Sequence, residues 1–162
     1  MTDTKSTTGS DYQRCLDAAS RYLSYRPRSV FEVKTRLRQR GFDNVAIESV
    51  LQKLRSDGSL DDLAFAGFWK ENRESFSPRS AMLLARELRA KGVATGVVNQ
   101  VVGAVDEEDS AYRAAVKRAV RLDRTDFTDF RDRLTPFLRR RGFSYEVIED
   151  TVRRLWDEVR AA

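Results

Sequence analysis

The chain has 162 residues, 30 of them Lys or Arg against 25 Asp or Glu, with no histidine and one cysteine. The missing histidine excludes Ser-His-Asp and Cys-His nucleophile systems and the usual zinc sites, and one cysteine cannot form an internal disulfide. The length suits one compact domain or a short array of repeats, and the net charge of +5 gives a modest attraction for polyanions.

Residues 1–10, MTDTKSTTGS, are polar and lack the apolar core of a secretory signal. They are expected to form a disordered tail. No stretch approaches the ~20 apolar residues that span a bilayer, so a cytoplasmic protein without membrane contact is expected. Beyond the tail, apolar residues recur at spacings of three and four, which predicts an all-α protein. Nine helices are expected, over residues 11–25, 29–40, 44–55, 60–74, 78–91, 95–105, 107–122, 126–141 and 145–160.

Cys15 falls on the first helix as a reduced structural thiol. Ser29-x-x-Glu32 has the pattern of a capping box opening the second helix. Ser59-x-x-Asp62 resembles one with a shorter acid ahead of the fourth. Asp61 and Asp62 are adjacent at that helix start, so their side chains diverge by about 100° and do not converge as an acid/base pair. A role at the positive end of the helix dipole fits them better. Phe65, Phe68 and Trp69 read as core aromatics of the same helix. Ser77-Pro78 places a capping serine before a proline at the first helical position of the fifth. Asp106-Glu107-Glu108-Asp109 forms the acidic first turn of the seventh.

Gly41, Gly92 and Gly142 each follow a basic turn, as expected of a residue past a helix end that adopts positive φ. They lie 51 and 50 residues apart. Four residues before them stand Leu37, Leu88 and Leu138. Apolar residues also recur on the far side, as in Ile47, Val98 and Ile148. A fixed period of this size marks a helical array. The chain therefore divides into the tail at 1–10 and three-helix repeats at 11–58, 59–105 and 106–162. The third copy lacks a serine aligned with Ser29 and Ser80.

No phosphate-cradling glycine loop is present. The inventory offers no assembled catalytic site, so neither an enzyme nor a cofactor is expected. The second helix of each repeat is basic toward its C-terminal end. Arg28, Lys34 and Arg38 mark the first, Arg86 and Lys91 the second, and Arg139, Arg140 and Arg141 the third. Cations there complement the helix dipole. They also form a recurrent basic surface able to meet phosphates or an acidic protein groove. The glycine turn gives each repeat a helix-turn-helix look. Of the helix starts that follow, only Asn44 fits a base reader, so contacts to the DNA backbone are expected rather than base-specific readout.

The sequence also resembles the RecX family of bacterial recombination regulators over roughly residues 15–160. The resemblance rests on Arg26-Pro27-Arg28-Ser29 and Leu37-x-x-x-Gly41-Phe42. It rests most of all on Gly58-Ser59-Leu60-Asp61-Asp62-x-Ala64-Phe65-Ala66. Ser80, Glu87-Leu88-x-x-Lys91-Gly92-Val93 and Leu138-x-x-x-Gly142-Phe143 complete it. It implies tandem three-helix repeats in an elongated protein that binds the RecA recombinase filament and inhibits its ATPase and strand-exchange activities. The basic residues named above would then contact the filament, while Gly41, Gly92, Gly142, Leu60, Asp61, Asp62 and Phe65 would be structural. A monomer is expected. The competing readings are a DNA-binding repeat module acting through the phosphate backbone and a helical scaffold for another protein.

Overall fold

The computed structural model describes residues 4–162, with side chains from Gly9 onward. Among these residues stand nine α-helices and no strand: α1 (Thr4–Leu23), α2 (Val30–Gln39), α3 (Asn44–Ser56), α4 (Asp62–Phe76), α5 (Ala81–Ala90), α6 (Thr95–Val102), α7 (Glu107–Ala119), α8 (Phe127–Arg140) and α9 (Tyr145–Ala161). This is the tandem three-helix plan that the apolar spacing predicts. The exception at the ends is α1. Residues 1–3 of the expected tail lie outside the described residues, but from Thr4 the chain is already helical. Once a packed helix exists, each further residue adds one hydrogen bond at little cost, so a polar stretch can extend it.

The helix starts correct two of the expected caps. Ser29 does form a capping box. Its Oγ accepts from the Glu32 amide at 3.1 Å, and Glu32 Oε2 accepts from the Ser29 amide at 3.0 Å. At α4 the cap is Asp61 rather than the Ser59-Asp62 pair, because Asp61 immediately precedes the first helical residue. Its Oδ1 accepts from the amides of Leu63 and Ala64 at 2.9 and 3.2 Å. At α5 the cap is Ser80, not Ser77. Pro78 lies ahead of the helix, and Ser80 Oγ accepts from the Leu83 amide at 3.1 Å.

The three repeat glycines end their helices identically. Gly41, Gly92 and Gly142 have φ of 84°, 76° and 87°. In each turn the amide after the glycine donates to the carbonyl five residues back: Phe42 to Leu37 at 3.3 Å, Val93 to Leu88 at 3.1 Å and Phe143 to Leu138 at 3.3 Å. The glycine amide donates to the carbonyl three back, at 2.9 to 3.0 Å. This pair of hydrogen bonds satisfies carbonyls the helix leaves orphaned, and it brings the apolar residue after the glycine onto the leucine. Gly58 ends α3 in a wider turn, with φ of 79° and Leu60, two residues on, donating six residues back to Leu54 at 3.0 Å.

The chain forms two compact units. One runs to Phe68 and includes Leu88–Val98. The other holds Trp69–Glu87 and Asn99–Ala162. The helices of the middle repeat are thus divided between them. In the first unit, Cys15 and Ala19 of α1 meet Val33 and Leu37 of α2, Ile47, Val50, Leu51 and Leu54 of α3, and Leu60. In the second, Ala111 and Ala115 of α7 meet Phe130, Leu134 and Leu138 of α8 and Ile148, Val152 and Leu155 of α9. Trp156 closes that core against the rings of Phe127 and Phe130, with centroids 5.5 and 5.2 Å apart.

Cys15 is fully buried, and its thiol is pushed up to about 11 by burial first and then by Asp11 and Asp43. The thiolate is the reactive form. A thiol reagent near neutral pH is therefore expected to leave the folded protein untouched and to label one thiol once guanidinium unfolds it. Rapid labelling of the folded chain would contradict this placement.

Candidate partner interface

The segment around Leu60 is a structural clasp. Gly58 turns the chain out of α3, and Leu60 enters the first core at 3% exposure. Asp61 then caps α4. Asp62 reaches back across 32 residues, where its Oδ1 accepts from the Val30 amide at 2.9 Å. Phe65 and Ala66 are buried one turn on. The two adjacent carboxylates therefore serve two different helix starts, as their divergence on the helix requires, and do not make an acid/base pair. Phe68 and Trp69 are half-buried, and the Trp69 indole donates to Glu87 at 2.9 Å.

A joint between consecutive repeats occurs twice. In the first unit the start of α2 lies against the turn that ends α5. Ser29 Oγ donates to the Lys91 carbonyl at 2.7 Å, and a Cβ on Gly92 would come within 2.4 Å of Phe31 Cβ. In the second unit the start of α5 lies against the turn that ends α8. The Ser80 amide donates to the Arg141 carbonyl at 3.0 Å, and a Cβ on Gly142 would come within 2.4 Å of Ser80 Oγ. Gly92 and Gly142 are thus required for close approach as well as for φ. A Cβ on Gly41 would meet nothing within 4 Å.

The joints are tied by charges that single-residue reasoning missed. Glu32 accepts from Arg26 at 2.7 Å and from Lys91 at 3.0 Å. Burial pushes its carboxyl up, but the bonds from Arg26, the Ser29 amide and Lys91 outweigh burial and leave it below the ordinary glutamate value. In the second unit Glu87 takes Arg73, Arg79 and the Trp69 indole. Glu74 takes Arg113 and the buried Ser110 hydroxyl. Glu107 accepts from the Ala81 amide at 2.7 Å. The signal for Glu32 was present in the sequence only as a capping acid, because its cations lie 6 and 59 residues away.

The structure separates the basic candidates into two groups. Arg38, Arg86, Arg139 and Arg140 are exposed, as are Arg36, Arg40 and Arg89 beside them in sequence. The other candidates carry internal contacts. Lys34 pairs with Glu48 at 2.7 Å and holds that carboxyl low. Arg28 stacks on Tyr22, 3.9 Å from its centroid. Lys91 serves the first joint. Arg141 donates to Ser77 Oγ and stacks on Phe137 at 4.6 Å. No group of three or more His, Cys, Asp or Glu able to hold a metal occurs among the described residues. No helix there is long and apolar enough to cross a membrane.

Fold and surface together define a class: an all-α protein of tandem three-helix repeats, joined at glycine turns and bearing exposed arginines on its second helices. Residues 15–54 match the first three-helix domain of RecX, and residues 106–152 match its third. The Regulatory protein RecX of Pelodictyon phaeoclathratiforme is 32% identical over 137 residues, covering 85% of this chain and 86% of that protein. The Regulatory protein RecX of Amycolatopsis mediterranei is 34% identical over 149 residues, covering 88% and 85%. The crystal structure of RecX from Lactobacillus salivarius shares the fold, with a TM-score of 0.76 at 21% identity over 91% of this chain and 97% of that one. The chain belongs to the RecX family of regulatory proteins.

Proposed function

We propose that this protein binds the RecA recombinase filament and restrains its ATPase and strand-exchange activities, acting as a non-enzymatic regulator of recombination in the cytoplasm. The observation that supports this reading is the recurrence of exposed arginines on the second helix of every repeat, in a chain of the RecX family. Among the described residues Arg38, Arg86, Arg139 and Arg140 are exposed and outside the ion pairs that tie the joints. They are the contact residues of this proposal, one set per repeat at 11–58, 59–105 and 106–162, carried by a monomer. Lys34, Lys91, Arg28 and Arg141 contribute first to the fold. A partner built of repeating subunits suits contacts that recur with the repeat.

Co-sedimentation with RecA filaments tests this. The wild-type chain is expected in the pellet with the filament. Arg38→Glu combined with Arg86→Glu should weaken that binding at least tenfold, since each change replaces an attraction with a repulsion, while the helical signal stays unchanged. Wild-type protein left in the supernatant would contradict the reading. A DNA-binding module without a recombinase partner is the second reading, favoured by the same arginines. It predicts tight binding to bare DNA that falls steeply with salt and gains nothing from RecA.

A further inference from the structure

The two joints are equivalent in sequence but not in charge. Ser29, Glu32, Arg26 and Arg28 correspond, 51 residues on, to Ser80, Leu83, Ser77 and Arg79. Lys91 corresponds, 50 residues on, to Arg141. In the first joint the cation meets a carboxylate, Lys91 Nζ to Glu32 Oε1 at 3.0 Å. In the second that carboxylate is replaced by Leu83.

Arg141 accordingly ends on neutral partners, the Ser77 hydroxyl and the Pro78 carbonyl. Its near charges have its own sign. Burial first, then Arg79 and Arg140, lowers its guanidinium below the ordinary arginine value. Arg118 adds another cation on the same aromatic ring, 5.0 Å from the Phe137 centroid against 4.6 Å for Arg141. The acid that Arg79 meets, Glu87, is shared with Arg73. Glu107 is taken up by the Ala81 amide. Arg79 also keeps a buried Nε with no hydrogen-bond partner. A half-buried cation without a counter-charge, as Arg141 is, is costly. An oxyanion would give Arg141 the counter-charge it lacks, and guanidinium forks match phosphate geometry.

We propose that the second joint is a phosphate site, in which Arg141, held at Ser77, binds a phosphodiester of single-stranded DNA with the charges of Arg140 and Arg79 beside it. The first joint, where Glu32 occupies Lys91, does not bind one. The inference deepens the reading above and rests on it in one respect: a recombinase filament presents single-stranded DNA beside its protein. It requires direct DNA contact at one named place.

The test is fluorescence anisotropy of a labelled single-stranded oligonucleotide at low salt, without RecA. Wild-type protein is expected to bind. Leu83→Glu restores to the second joint the acid that the first already carries. It should weaken binding about tenfold and lower the salt slope by about 0.7 for each phosphate that is no longer neutralised. Arg140→Gln, on an exposed side chain, should weaken binding severalfold without touching the joint. Wild-type protein that does not bind the oligonucleotide would overturn the proposal. So would Leu83→Glu and Arg140→Gln variants that both bind as wild type. Filament co-sedimentation separates the two ideas, because wild-type protein that pellets with the filament but does not bind the oligonucleotide sinks only this site.

Discussion

Gly142→Ala is expected to destabilise the protein by about 3 kcal/mol, and Gly41→Ala by only about 1 kcal/mol. Both glycines sit in the left-handed region, at φ of 87° and 84°. Each alanine therefore meets the same backbone penalty of about 1–2 kcal/mol. The difference lies in what surrounds them. At Gly142 a Cβ would stand 2.4 Å from Ser80 Oγ and 2.9 Å from Leu83 Cβ. Ser80 Oγ is fixed as the cap of α5, and a Cβ moves only with its backbone. The clash must open the joint, and such overpacking adds about 1–3 kcal/mol. Around Gly41 a Cβ meets nothing within 4 Å. Urea unfolding of the two variants against wild type measures this. Equal losses would show that the joint yields and that φ alone matters. Since a domain of this size has about 5–15 kcal/mol in all, the larger loss is a substantial fraction.

Glu32→Ala is the second large effect, at about 2–3 kcal/mol. The side chain is 8% exposed and holds Arg26 and Lys91 together, while closing the capping box on Ser29. Removing it leaves two facing cations and one orphaned amide. Breaking a fully buried pair costs about 3–5 kcal/mol. Arg26 and Lys91 keep 29% and 32% exposure, so water screens part of that loss. The acid limb gives an independent check. The folded-state value of Glu32 is depressed. Its contribution is therefore full above the unfolded glutamate value of about 4.3. It is lost as pH falls through the lower folded value. Glu32→Gln should flatten the rise in stability with pH in that acidic window. A Gln variant with the wild-type acid limb would show that Glu32 is not the group responsible.

The fold was legible because its signals are local and repeated. Leu37, Leu88 and Leu138 stand four residues before their glycines, and this register alone places the ends of α2, α5 and α8. The box of Ser29 and Glu32 needs only three residues of separation. The misplaced caps at α4 and α5 were choices between neighbours, Asp61 over Ser59 and Ser80 over Ser77. Hydrogen bonding to the first helical turn decided them, not propensity. The site was legible only in part. The basic helices were visible, but the division between exposed Arg38, Arg86, Arg139 and Arg140 and internally engaged Lys34, Lys91 and Arg141 depends on partners distant in sequence. Glu32 and Lys91 are 59 residues apart. The contrast between Glu32 and Leu83 was written in the repeat alignment all along. Its meaning depends on Lys91 and Arg141 ending in equivalent joints, which only the fold brings together.

The proposed restraint of a recombinase filament rests on the exposed arginines of this chain. Its most direct measurement is RecA-driven ATP hydrolysis on single-stranded DNA, titrated with this protein. Inhibition is expected at well below one molecule per RecA protomer, and it should be lost in the Arg38→Glu, Arg86→Glu variant with the fold intact. Hydrolysis that continues unchanged at equal stoichiometry, with no protein on the filament, would contradict the claim.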